Sequence, residues 1–228
     1  MAKPAQATHE AVRVDAGAAG IDGDLRVPER ASGLVIFAHG SGSSRFSRRN
    51  RAVAGDLESA GFATLLLDLL TLDEDARDQR TGEYRFDIPL LGRRVTGAID
   101  WVQARPDLHR LPIALFGAST GAAAALIAAA ERSGVVRAVI SRGGRPDLAD
   151  NALSDVEAPV LLIVGGRDEP VVEMNRDAML RLRALVTLEI VPGATHLFEE
   201  PGALEQVAAL AAGWCRTHLK ERGADGRD

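Results

Sequence analysis

The chain has 228 residues, a formal net charge of -5 and 46% hydrophobic residues, a composition that supports one domain with a sizeable core. With no basic block it offers nucleic acid no binding face, and its longest greasy run, Ala122–Ala130, is too short to span a bilayer. The opening "MAKPAQATHE" lacks the apolar run of a signal peptide, and the single cysteine, Cys215, can close no internal disulfide, which fits a reducing cytoplasm.

Residues 1–8 and 221–228 are polar or small and read as frayed tails around a single domain over 9–220. "AVRVDAGAAGIDGDLRVP" predicts two strands about a glycine-containing turn, an N-terminal hairpin. Then come "GLVIFAHG", "GFATLLLDLL", "LPIALFG", "VVRAVISRGG" and "APVLLIVGG", short apolar runs that mostly end in glycine or aspartate. Helix-length stretches at about 47–60 and 90–104 separate the first three, and an alanine-rich helix over 120–132 follows the third. "DEDARD" (Asp73–Asp78) reads as a solvated loop. "LVTLEIVPG" predicts a last strand and Pro201–Lys220 a last amphipathic helix, in which Cys215, beside Trp214, is a packing residue. Buried strands alternating with helices mean an α/β fold, a mostly parallel central sheet with helices on both faces. Ser141–Ala158 is too short a connection to hold a large cap domain.

In such sheets function gathers at the carboxyl ends of the strands. The stretch "LPIALFGASTGAAAALIAAA" places Ser119 in a G-x-S-x-G turn between a strand and a helix. So tight a turn strains its central residue and holds the side chain clear of the sheet, as a nucleophile requires. An activated serine needs a base and an acid to orient it, following in the order nucleophile, acid, histidine. Of the five histidines only His196 and His218 lie far enough along; His218 ends the last helix and suits its C-terminal dipole. His196, in the loop "VPGATHLFEEPG", is the candidate base. Asp168, ending "LLIVGGRD", is the candidate acid, with Asp147 and Glu169 as competitors and a helix-capping role as its bland alternative. An oxyanion hole needs two backbone N–H groups; Thr120 supplies one and Ser41, in His39-Gly40-Ser41-Gly42, the other, with His39 holding that loop.

"SSRFSRRNR" and "SRGGRPD" put Arg45, Arg48, Arg49, Arg51, Arg142 and Arg145 on loops of the same edge. Arginine forks suit carboxylate and phosphate, so His39, Arg45, Arg142 and Arg145 are candidate substrate-binding residues for an anionic small molecule. The competing expectation places Arg48, Arg49 and Arg51 on a solvated helix face and pairs Arg142 or Arg145 with Asp147. Other chemistries fare worse. "GSGSSR" puts Arg45 where a dinucleotide fingerprint needs its third glycine, although Asp68 ends the next strand, and no phosphate-binding G-x-x-x-x-G-K-[ST] occurs. The dispersed histidines form no metal-ligand pattern. No cofactor or metal is expected, and a homo-oligomer is compatible with the chain.

The motifs "HGSGSS", "LLLDLL", "FGASTGAA", "SRGGRPDLA", "LLIVGGRDEPV" and "VPGATHLFEEPGAL", over roughly residues 10–220, resemble the α/β-hydrolases, specifically the small, lidless dienelactone-hydrolase-like branch. The resemblance implies an α/β-hydrolase fold, a Ser-Asp-His triad and hydrolysis of an ester, lactone or thioester. Enzymes that open dienelactones carry cysteine as nucleophile, and Ser119 departs from that. A non-catalytic scaffold that kept the fold is the rival, against which nucleophile, acid, base and oxyanion loop all have suitable residues.

Overall fold

The computed structural model describes residues 7–17 and 19–220. Its centre is an eight-stranded sheet: β1 (Thr8–Asp15), β2 (Gly20–Val27), β3 (Leu34–Ala38), β4 (Ala63–Leu67), β5 (Ile113–Ala118), β6 (Val136–Arg142), β7 (Val160–Gly165) and β8 (Val186–Val191). The spatial order is β1-β2-β4-β3-β5-β6-β7-β8. β1 and β2 form the predicted hairpin, β2 joins β4 antiparallel, and every later pairing is parallel. The strand starts at Thr8, one residue inside the expected tail, whereas 1–6 and 221–228 lie outside the described residues.

Strands β3, β4, β5 and β7 are buried along their whole length, which is why they read as unbroken apolar runs without alternation. Each such Val, Leu or Ile stabilises the fold by about 1.5–3 kcal/mol. Helices α1 (Arg48–Ser59) and α6 (Ala203–His218) cover one face, packing Val53, Leu57, Val207 and Ala211 with Phe37 and Phe116, whose rings stack 4.8 Å apart. Cys215 is buried in this layer. On the other face lie α3 (Ile88–Ala104), α4 (Thr120–Glu131) and α5 (Glu169–Arg181), with all alanines of α4 but Ala130 buried.

Two helices differ from the sequence reading. The "DEDARD" stretch belongs to α2 (Leu72–Thr81), not to a loop. It has no apolar stripe to betray it. A capping box holds it instead, Thr71 Oγ1 accepting from the Glu74 N–H and the Glu74 carboxylate from the Thr71 N–H, with Gly82 in the left-handed conformation at its end. α5 likewise carries too much charge for its periodicity to stand out. Between β6 and β7 the chain holds only a 3-10 segment, Pro146–Asp155. Among the described residues the fold has no large cap.

Candidate active site

Ser119 joins β5 directly to α4 with φ 50° and ψ -121°, a strained conformation for a residue with a side chain. Neighbouring strands over-determine it: its N–H donates to Arg142 O (3.2 Å), and its carbonyl accepts from the Arg145 N–H (3.1 Å). A Cβ on Gly121 would overlap the carbonyl oxygens of Ala38 and His39, so only glycine lets the start of α4 lie against the end of β3. The Ser119 side chain makes no capping bond to α4, and its hydroxyl is left uncommitted at a helix N-terminus.

Asp168 follows β7 and occupies the N-cap of α5, yet forms no capping hydrogen bond. Its carboxylate instead accepts from His196 Nδ1 at 2.6 Å. That bond holds the proton on Nδ1 and leaves Nε2 as the ring's free nitrogen. The loop that presents His196 after β8 is pinned at several points. Ala194 O accepts from the Arg167 N–H (2.9 Å), and the Glu200 carboxylate accepts from the Thr195 N–H (3.1 Å). The buried Phe198 sits at φ 56°. A Cβ on Gly143 would lie 3.6 Å from His196 Cε1, so the imidazole stands over the end of β6, one strand from Ser119. His218 lies at the other end of the chain's last helix, against Trp214.

The loop after β3 closes a turn in which the Ser43 N–H donates to Gly40 O (3.2 Å), and Gly42 takes the positive φ (67°) that its third residue demands. A Cβ on Gly40 would lie 3.0 Å from Ser119 Cβ, which sets this loop beside the nucleophile. His39 is buried beneath it. Nδ1 donates to Gly40 O (2.9 Å) and Nε2 accepts from the Leu69 N–H (3.0 Å), and burial pulls its pKa below the usual histidine value. His39 is thus a brace with both nitrogens occupied, which differs from a substrate-binding role.

The arginines separate. Arg45 pairs with Asp68, whose carboxylate also accepts the Arg45 N–H (2.7 Å), and it lies 3.6 Å from Asp24. Arg145 is held by both oxygens of Asp147 (2.8 and 2.7 Å). Nearby carboxylates thus occupy both guanidinium groups, and neither presents a free fork to substrate. Arg49 reaches Glu199 and Arg51 reaches Asp24 from α1, where Arg48 is exposed. Of Arg45, Arg142 and Arg145, only Arg142 lacks a carboxylate partner among the described residues. It is 8% exposed and bonds Asn50 Oδ1 at 3.3 Å. Burial, with Arg49 nearby, pulls its pKa down to about 10. Asp68, Asn50, Glu200 and Phe198 are the site's supporting residues that the sequence reading assigned no such role; of these only Asp68, ending an apolar run, carried any signal.

A parallel sheet entered through an antiparallel hairpin, with a strained serine elbow after β5 and an Asp–His pair after β7 and β8, defines the α/β-hydrolase class. The dienelactone hydrolase family model matches residues 21–219, and the chain belongs to that family. A crystal structure of a dienelactone hydrolase from Anabaena variabilis is 55% identical, with a TM-score of 0.92 over 94% of this chain and 100% of that one. Est1E from Butyrivibrio proteoclasticus shares the fold at 18% identity, with a TM-score of 0.75 over 91% of this chain and 98% of that one. A curated Mycobacterium tuberculosis protein (strain H37Rv) named a phosphoribosyl transferase of "putative" standing is 55% identical over 95% of this chain. The chain spans 48% of that relative's length. Among the described residues no helix is long and apolar enough to cross a membrane.

Proposed function

We propose that the protein is a serine hydrolase of small carboxylic esters, lactones or thioesters, working in the cytoplasm through an acyl-enzyme. The observation that carries this reading is the 2.6 Å His196–Asp168 bond one strand from the strained Ser119 elbow. Ser119 Oγ attacks the substrate carbonyl as His196 Nε2 takes its proton. Asp168 holds the imidazole tautomer and stabilises the imidazolium. The N–H groups of Ser41 and Thr120 receive the oxyanion. The tetrahedral intermediate collapses as His196 returns the proton to the leaving oxygen or sulfur, and water then repeats the attack on the acyl-enzyme. The name phosphoribosyl transferase belongs to relatives about twice as long, and the residues gathered here are those of acyl transfer to water.

Ser119→Ala should lower kcat for p-nitrophenyl acetate by about 10⁴-fold or more with an unchanged melting temperature. A fluorophosphonate probe should label the wild type at Ser119 and leave the variant unlabelled. Turnover by the variant within tenfold of wild type overturns the assignment.

A further inference from the structure

We infer that the recess between the oxyanion loop and the start of α2 is the acyl pocket, shaped for a short, uncharged acyl chain. This rests on the serine-hydrolase reading. His196 must protonate the leaving group, so the leaving arm of the substrate lies on the His196 side of Ser119. In the sheet, the His196 and Asp168 loops follow β8 and β7, on one side of β5, while β3 and β4 lie on the other. The acyl arm is thereby directed toward the β3–β4 side.

A cavity of about 60 Å³ opens there, with Gly40 and Ser41 on its near wall, Leu69 and Leu91 among its apolar lining, and Asp75 at its polar rim. Gly40 also lies against Ser119, a Cβ there falling 3.0 Å from Ser119 Cβ, so the near wall of the recess adjoins the nucleophile. Its volume is well below the roughly 300–1,000 Å³ of drug-sized sites, which limits it to a few carbons. Its charges are unbalanced. Asp68 is neutralised by Arg45 and Asp78 by Arg85, but the Asp75 carboxylate is met only by the Gln79 amide, at 2.7 Å. A carboxylate on the acyl chain would meet that uncompensated negative charge at the mouth of the recess.

The test compares kcat/KM of the wild type on four p-nitrophenyl esters: acetate, butyrate, octanoate and the monoester of succinic acid. Acetate and butyrate should agree within about threefold, with octanoate at least about tenfold below butyrate. The succinate monoester should also fall at least about tenfold below butyrate. Asp75→Asn should raise the succinate monoester at least about threefold relative to butyrate. An octanoate value equal to butyrate's, a succinate monoester used as well as butyrate, or no response to Asp75→Asn overturns the pocket while leaving the nucleophile standing. No turnover of any of the four overturns the serine reading itself, and the pocket with it.

Discussion

At the last position of β6 the chain keeps a guanidinium nearly out of solvent. The Arg142 Nε has no partner, its Nη2 meets a neutral amide, and its Cζ lies 5.9 Å from the Phe198 ring centroid. An unpaired buried cation costs several kcal/mol, whereas Arg45 and Arg145 are each paired with an aspartate. Arg142 lies beside the His196 loop, which the proposed mechanism makes the leaving-group side of Ser119. An anionic leaving group would supply the missing partner. Arg142→Gln should therefore lower kcat/KM for 4-acetoxybenzoate about tenfold more than for phenyl acetate, with added salt narrowing the difference. Removing an unpaired charge should leave the melting temperature equal or higher. Equal losses on both esters would make Arg142 a structural residue only.

The oxyanion loop is the element on which the proposed chemistry depends most, and two side chains from the buried layer below fix it. His39 ties Gly40 to Leu69, and Asp68 ties Arg45 to the end of β4. Because Nε2 of His39 accepts a backbone N–H, the ring must stay neutral, and burial opposes its protonation. A base whose folded pKa is depressed contributes stability that is present above its unfolded value of 6.5 and is lost as pH falls toward the folded one. Urea midpoints should accordingly drop on acidification below pH 6.5, with at most about 1.4 kcal/mol per pH unit attributable to this one proton. His39→Gln should be less stable at neutral pH and flatter across that range. Parallel pH profiles for the two proteins would remove His39 as the cause. Nothing local to "HGSGSS" discloses these partners, since Leu69 and Asp68 arrive from the next strand.

Among the described residues, the edge that carries Ser119, Asp168 and His196 is left uncapped. The connection after β6, where an insertion could roof the site, is occupied by the Pro146–Asp155 segment packed against α4 and α5. Among the described residues no element is therefore available to swing open on a lipid surface. Rates on p-nitrophenyl butyrate should rise smoothly with concentration through its solubility limit. A jump in rate when emulsion forms would show a gate that this architecture does not provide. Exposed Phe46, Leu72 and Phe86 stand on loops and helix ends around the same edge, singly enough to be ordinary surface.

The parallel strands were legible from the chain alone because burial on both faces writes unbroken apolar runs, and the elbow was legible because close packing at a strand–helix turn demands small residues around Ser119. The chain order nucleophile, acid, histidine then singled out Asp168 and His196 as candidates after later strands. Helix α2 has no apolar stripe, and its readable signals are local ones, the Thr71–Glu74 capping box and the closing Gly82. The sequence offered the Arg145–Asp147 pair and a helix for Arg48, Arg49 and Arg51, but not the partners of Arg45 and Arg51. Asp68 meets Arg45 because β4 lies beside β3, and Asp24 meets Arg51 because β2 pairs with β4. Local pattern determines which residues become strand, turn or helix. For Arg45 and Arg51 the order of strands in the sheet decides which charge each meets, because that order brings together side chains more than twenty residues apart.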